Sequence, residues 1–513
     1  MRTKLDTYQV MRVLTLLLFM GAATCTSAQL GNWSLCRGAG VSVTSGDYNT
    51  MYGDSSGYRL TTGKNNSFLG GRAGFNYNGS QSTFIGYEAG YSATGVGDLT
   101  FIGKFAGRSN TFGAWNVFIG TEAGKDNTTG RSNVFVGEEA GESNTTGSRN
   151  VFVGEDAGFE NTTGSDNTYI GNTAGKLTTE GGHNTAVGSE AGYDIEEGHH
   201  NTFIGDSAGV DTGPRFAYGG AGNDGSYNTC IGQASGAANE FGSFNTFVGA
   251  YAGYDNNRSN TTDERARYNT ALGFAAGYRN REGRNNLVIG YRADFSGVGS
   301  SNGNRGNVLI GYYARLGQDR INYNVVIGSN ARASGDNSVA IGYYSRITSS
   351  NQVYLGNSST EVIGGPVNIT VTSDGRFKQG VKEDVPGLEF ITKLEPVSYT
   401  FDMDSLGKVF DQPVVNQKKS EIRYTGFLAQ QVERVASELG YSFSGVDKTG
   451  ITNEVYGLRY AEFVPGLVKA YQELSEKDEE QKEALKHQTR RLADLEERLN
   501  VLLELKENET VKK

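Results

Sequence analysis

Three features of this sequence predict a mainly β protein, a stalk of short stacked parallel coils followed by an α+β region and a terminal coiled coil. The first is a period. A glycine that closes an apolar strand recurs at Gly86, Gly103, Gly120, Gly137, Gly154, Gly171, Gly188 and Gly205, each 17 residues after the last. The second is the unit itself: Asn150-Val-Phe-Val-Gly154 is β-branched and aromatic, bounded by turn residues and too short for a helix. The third is a change of composition after Gly364-Gly365-Pro366, beyond which apolar residues take helical spacing. A sustained short period means a solenoid, because one such unit can bury its apolar face only against its neighbours.

Residues 1–28 read as a signal peptide. Arg2, Lys4 and Arg12 precede the apolar run Val13 to Met20, and Thr26-Ser-Ala28 offers small residues ahead of a cut before Gln29. Ala22-Ala-Thr-Cys25 lacks the leucine and the small residue that precede a lipidated cysteine, so a simple signal peptide is the preferred reading. The product is expected to be exported, either secreted or held at the cell surface. No later apolar run approaches the ~20 residues that span a bilayer, so no membrane-spanning segment is expected in the mature chain. Residues 29–46 read as an N-terminal cap without clear periodicity.

The β-roll is expected over 47–364. Gly53 and Gly70 precede the regular run. Gly232, Gly249, Gly273, Gly290, Gly311 and Gly328 follow it at spacings widened by loop insertions, and the last rungs, at Gly342 and Gly356, shorten to 14 residues. Strands stacked ~4.8 Å apart would make these rungs a rod of roughly 85 Å. Phe152 and Val153 are neighbours in a strand and so face opposite ways. One face can pack inside the roll; the other needs a second chain, most simply in a homotrimer around a common axis. The insertions at 213–220 and 256–263 are the best candidates for a binding surface, because loops vary without disturbing the strands.

Other rows along the roll have structural readings. Asn116, Asn133, Asn150, Asn167, Asn184 and Asn201 are expected to stack their amides. Glu122, Glu139, Asp156 and Glu190 form an acidic row that could collect cations, but Phe105, Thr173 and Ser207 interrupt it, which favours a solvated face. No metal and no cofactor is expected. The glycosylation-type triplets at Asn127 and Asn144 fall out of the repeat. Cys36 and Cys230 lie about ten rungs apart, too far to pair, and Cys230 fills a slot that holds Phe203 and Phe247 in other rungs. A net charge of −10 without a basic stripe disfavours nucleic acid as a partner.

Residues 365–462 read as a separate α+β domain, and 463–507 as a coiled coil. Val464, Tyr471, Asp478, Leu485, Leu492 and Leu499 fit heptad position a, with Leu467, Leu474, Gln481, Gln488, Leu495 and Leu502 at d. Ser373-Asp-Gly-Arg-Phe-Lys378 is the one stretch that suggests reactivity. A hydroxyl becomes a nucleophile when a base takes its proton, and a lysine can do so if its surroundings favour the neutral amine. Taken alone, such a pair is better read as a surface turn.

Two resemblances extend this reading. Asn337-Ser-Val-Ala-Ile-Gly342 and Asn351-Gln-Val-Tyr-Leu-Gly356 resemble the head repeats of trimeric autotransporter adhesins, which implies a left-handed parallel β-roll assembled as a trimer. The end of the chain shows no membrane barrel like theirs, so their anchoring does not carry over. Ser373 to Lys378, Leu394 to Tyr399, Gly426 to Val432, Leu458 to Tyr460 and the heptads occur in an order that resembles the intramolecular chaperone domain of phage endosialidases and tailspikes, the S74 peptidase family, over about 371–490. That likeness implies a domain that templates trimerisation and then leaves by autocleavage, with Ser373 as nucleophile, Lys378 as general base and Thr372–Ser373 as the scissile bond. Nothing resembles the sialidase domain of the endosialidases. The expected function is a trimeric, adhesin-like fibre matured by self-cleavage, with a host-cell glycan or other surface ligand as partner. The alternatives are a structural appendage with an uncleaved chaperone domain, or a carbohydrate-active enzyme of tailspike type.

Overall fold

A computed structural model describes residues 31–95, 97–212, 225–257, 266–295, 303–367, 369–410, 412–414, 417–449 and 455–510. The expected signal peptide, the insertion at 213–220 and most of that at 256–263 lie outside the described residues. Two units divide the chain, 1–357 and 358–513.

In the first unit one coil explains the rest. Val151–Val153 is a three-residue strand whose central Phe152 is fully buried while both valines are half-exposed, as alternation across a strand requires. At its end Gly154 takes φ +138, and a Cβ there would collide with the carbonyl oxygen of Gly171 one coil on. Asp156 and Asp166 turn the corners with left-handed φ of 56° and 62°. Coils stack parallel and in register, Val134 on Val151 on Thr168, and build a 19-stranded sheet. Register brings like residues together. Phe84, Phe101, Phe118, Phe135, Phe152 and Tyr169 form a column with ring centroids 4.7–5.1 Å apart, the spacing of the strands themselves.

The sheet begins earlier than the glycine period indicates. Trp33–Leu35, within the segment expected as a cap, pairs in register with Thr50–Tyr52. Cys36 stands where later coils have glycine, at φ 101°, so the marker residue is absent although the rung is present. Cys230 packs fully buried in the core and Cys36 is exposed; both are free thiols.

Asparagines satisfy the polar groups inside the roll in two ways. In the recognised row the side-chain oxygen of Asn133 accepts from the backbone N–H of Asn150 at 2.9 Å, while its amide donates to the Gly147 carbonyl at 2.8 Å. These asparagines therefore bond to backbone, where stacked amides had been expected. A second row does stack amides: Asn127 donates to Asn110 and Asn144 to Asn127, each at 2.6 Å, and Asn161 donates to Asn144 at 2.7 Å. Asn127 and Asn144 are the asparagines of the glycosylation-type triplets, and both are fully buried. A buried amide committed to this ladder is closed to a glycosyltransferase once the coil has formed.

Towards the end of the roll the second face of each coil becomes a strand. Asp294–Phe295, Arg315–Leu316, Arg332–Ala333 and Arg346–Ile347 form a four-stranded parallel sheet. Two members of the acidic row, Glu122 and Asp156, meet lysines. Lys125 bridges Glu122 at 2.8 Å and Glu142 at 2.6 Å, and Lys176 meets Asp156 at 2.7 Å.

The second unit contains α1 (Leu388–Lys393), α2 (Met403–Val409), α3 (Ala429–Glu438) and the long α4 (Phe463–Thr510). Val397–Tyr399 pairs antiparallel with Tyr424–Gly426, and Val446–Thr449 with Val455–Leu458. Phe390, Leu394, Val432, Val435, Ala436 and Phe463 form the core. Gly387, ahead of α1, has no side chain to cap the helix, and the carboxylate of Glu473 on α4 takes that role, accepting from Leu388 N at 2.7 Å. Among the described residues, no helix is long and apolar enough to cross a membrane.

Candidate functional site

Ser373 and Lys378 are brought together by one tight turn. Asp374 opens it: its side chain accepts from Arg376 N at 2.9 Å and caps the 3₁₀ turn Gly375–Phe377. The same carboxylate grips the Arg376 guanidinium at 2.6 Å, and that contact holds its pKa below the usual aspartate range. Lys378 N then donates to the Gly375 carbonyl, and the lysine side chain folds back so that Nζ donates to Ser373 Oγ at 2.8 Å. Asp374 and Arg376 thus act as a brace for the pair. Sequence reasoning did not single them out, although an Asp followed two residues later by Arg within a glycine turn is the available signal.

The pair lies in the open. Ser373 and Lys378 are both exposed, and a Cβ built on Gly375 would meet nothing within 4 Å. Apolar side chains flank it on both sides: Val367, Ile369, Val371, Phe377 and Val381 are each at least 75% exposed. Val367, Ile369 and Val371 alternate as a strand would, with nothing covering them in the single chain.

The other motifs are joined to one another around the core of the unit. Tyr460 Oη accepts from Phe427 N at 3.2 Å, joining the Leu458–Tyr460 and Gly426–Val432 stretches. Gln431 donates to the Lys393 carbonyl at 3.1 Å, next to the buried Leu394 that leads into Val397–Tyr399. These motifs hold the fold. Ser373 and Lys378 stand apart from them, in hydrogen-bond contact with each other.

The helical seam is also uncovered. Val464, Leu467, Tyr471, Leu474, Leu485, Leu492, Leu495, Leu499 and Leu502 all lie exposed along α4. On the roll, the residue that closes each strand adds a second apolar row, including Leu69, Ile170, Ile204, Val248 and Ile341, each more than a third exposed.

Comparison with known proteins fits this division. No curated protein matches the chain. Residues 325–345 match two copies of the YadA head domain repeat, and residues 373–441 match the family model of the chaperone of endosialidase, a peptidase S74 model, whose first matched residue is Ser373. The chain therefore resembles YadA-type head repeats followed by an endosialidase-type chaperone, a combination that supports a trimeric, adhesin- or fibre-like protein with a chaperone domain.

Proposed function

We propose that this chain is an exported, homotrimeric adhesive fibre whose C-terminal unit templates assembly and then releases itself at Thr372–Ser373. The observation that carries this reading is the pair of unpartnered apolar seams, one along the roll and one along α4. Lipid or solvent would leave both without specific partners, whereas two further copies of the chain present the same seams in the same order. Templating has a physical purpose here. Parallel coils that look alike can pair out of register, and a terminal unit that gathers three chains fixes their alignment.

The cleavage chemistry follows from the Ser373–Lys378 contact. Ser373 Oγ attacks the Thr372 carbonyl carbon as its proton passes to Lys378 Nζ; the peptide C–N bond breaks, the Ser373 nitrogen takes a proton, and an ester joins Thr372 to Ser373 Oγ. Water then hydrolyses the ester, leaving a Thr372 carboxylate and a fragment that starts at Ser373. Lys378 must be neutral to accept the proton, and burial disfavours the charged amine. The apolar residues flanking the turn offer the surface that partner chains would close over, which ties cleavage to assembly. Intact mass of the purified exported protein is the test. Loss of residues 1–28 and of the segment from Ser373 to Lys513 is expected; an assembled product that keeps its full C-terminus would instead favour the appendage with an uncleaved chaperone.

A further inference from the structure

Between Gly249 and Gly311 the roll changes construction, and the change opens a cleft. In the regular run Glu160 N donates to the Lys176 carbonyl of the next coil. Arg279 holds the equivalent place, but its N–H reaches the Asp294 carboxylate at 3.1 Å, because the following coil has already switched to the four-stranded sheet. The space left at this switch is about 510 Å³, within the range of sites that take a small ligand.

Three observations describe what would fill it. Tyr278 stacks on Tyr254 at 4.9 Å and 8°; Tyr278 lines the cleft and Tyr254 does not. In the next coil Phe295 is buried in the core, so among the described residues the stack ends at the cleft with Tyr278. Charge is the second observation. Arg279, Arg292 and Arg315 line the cleft, and among the described residues that line it Asp294 is the one carboxylate, in a chain of net charge −10. Burial also pushes the Asp294 carboxyl up to about 7, which leaves the cleft more positive at neutral pH. The third is a braced guanidinium: Arg292 donates to Tyr313 Oη at 3.1 Å and lies over the rings of Tyr291 and Phe274 at 5.6 and 6.0 Å.

We propose that this cleft binds a carboxylated sugar ring of an acidic polysaccharide, with the ring against Tyr278 and the carboxylate on Arg292. A pyranose face supplies the next apolar plane in the interrupted stack, and a planar guanidinium matches a carboxylate in two parallel hydrogen bonds. The inference rests on the adhesive reading above and gives it a site and a ligand class.

Calorimetric titration of the assembled protein with an oligogalacturonate, its carboxyl-reduced neutral counterpart and inorganic phosphate tests the assignment. The acidic oligosaccharide is expected to bind at least tenfold more tightly than either control. Tyr278→Ala and Arg292→Ala should each weaken it at least tenfold with unchanged sedimentation, whereas Phe75→Ala, a stacked ring many coils away, should not. Should the alanine variants fail to assemble, Tyr278→Phe is expected to keep affinity and Arg292→Lys to lose it. Equal binding of the neutral sugar or of phosphate, or unchanged affinity in the Arg292 variants, overturns the proposal. So does a protein that binds cells or neutral glycans but no uronate, and that outcome leaves the adhesive reading standing. A protein blank on cells and on every glycan overturns both.

Discussion

Ser373 and Lys378 meet because only four residues lie between them and a braced 3₁₀ turn brings their side chains to 2.8 Å. Ser373→Ala is expected to abolish release of the C-terminal fragment by removing the nucleophile. Lys378→Ala should slow release by about 10²–10⁴-fold, the usual contribution of a positioned base. Intact mass over time distinguishes the two, and sedimentation should find both variants assembled. Asp294 offers a separate test. Its folded pKa is raised from 3.8 to about 7, so the folded state holds a proton that the unfolded chain loses sooner. The stability tied to that proton is present below about pH 4 and is lost as pH rises through 7. Asp294→Asn, which can still accept from Arg279 N, should melt with wild type at pH 4 and above it at pH 8. The Ser–Lys pair was legible in the sequence because its partners are local. The bonds of Asn127 and Asn144 were not, since only coil stacking places each amide against its equivalent 17 residues away.

Among elements, the aromatic column and α4 make opposite demands. Phe135 is fully buried between Phe118 and Phe152 at 4.8 and 4.7 Å. Phe135→Ala opens a cavity and should cost about 3–5 kcal/mol. Because coils touch mainly their neighbours, hydrogen exchange should rise around residues 118–152 and little elsewhere; uniform loosening along the roll would contradict a nearest-neighbour solenoid. α4 has no such internal support beyond its first turns. Leu485 and Leu492 are 63% and 59% exposed, and replacing both with Asp should leave the core of the second unit intact while preventing its trimerisation, as native mass of the isolated and full-length proteins would reveal. The strands were legible from β-branched and aromatic triplets ending in glycine. The rung at Trp33–Leu35 was hidden because Cys36 takes the left-handed-side φ that glycine takes elsewhere.

For the whole molecule, association is the expected answer to two seams that a single chain leaves in water. Sedimentation should find a trimer at micromolar concentration, and a folded monomer would defeat that expectation. Removing residues 358–513 from the gene should yield misassembled rolls, since each coil can then pair with the wrong neighbour; normal trimeric rods from this truncation would defeat the template. Restoring the second unit with Ser373→Ala should rescue assembly without cleavage, separating the shape of the template from its chemistry.

What the sequence determined by itself was whatever repeats or lies close along the chain: the coil period, the strand in each coil, the long terminal helix and the contact of Ser373 with Lys378. Each depends on local geometry, so spacing alone carries it. Tertiary structure decided the rest. It committed Asn127 and Asn144 to a buried ladder, capped α1 with Glu473 from α4, and interrupted the stack above Tyr278 where one coil construction gives way to another. Those outcomes join residues distant in sequence or depend on where two patterns meet, and no local preference encodes the partner that packing supplies.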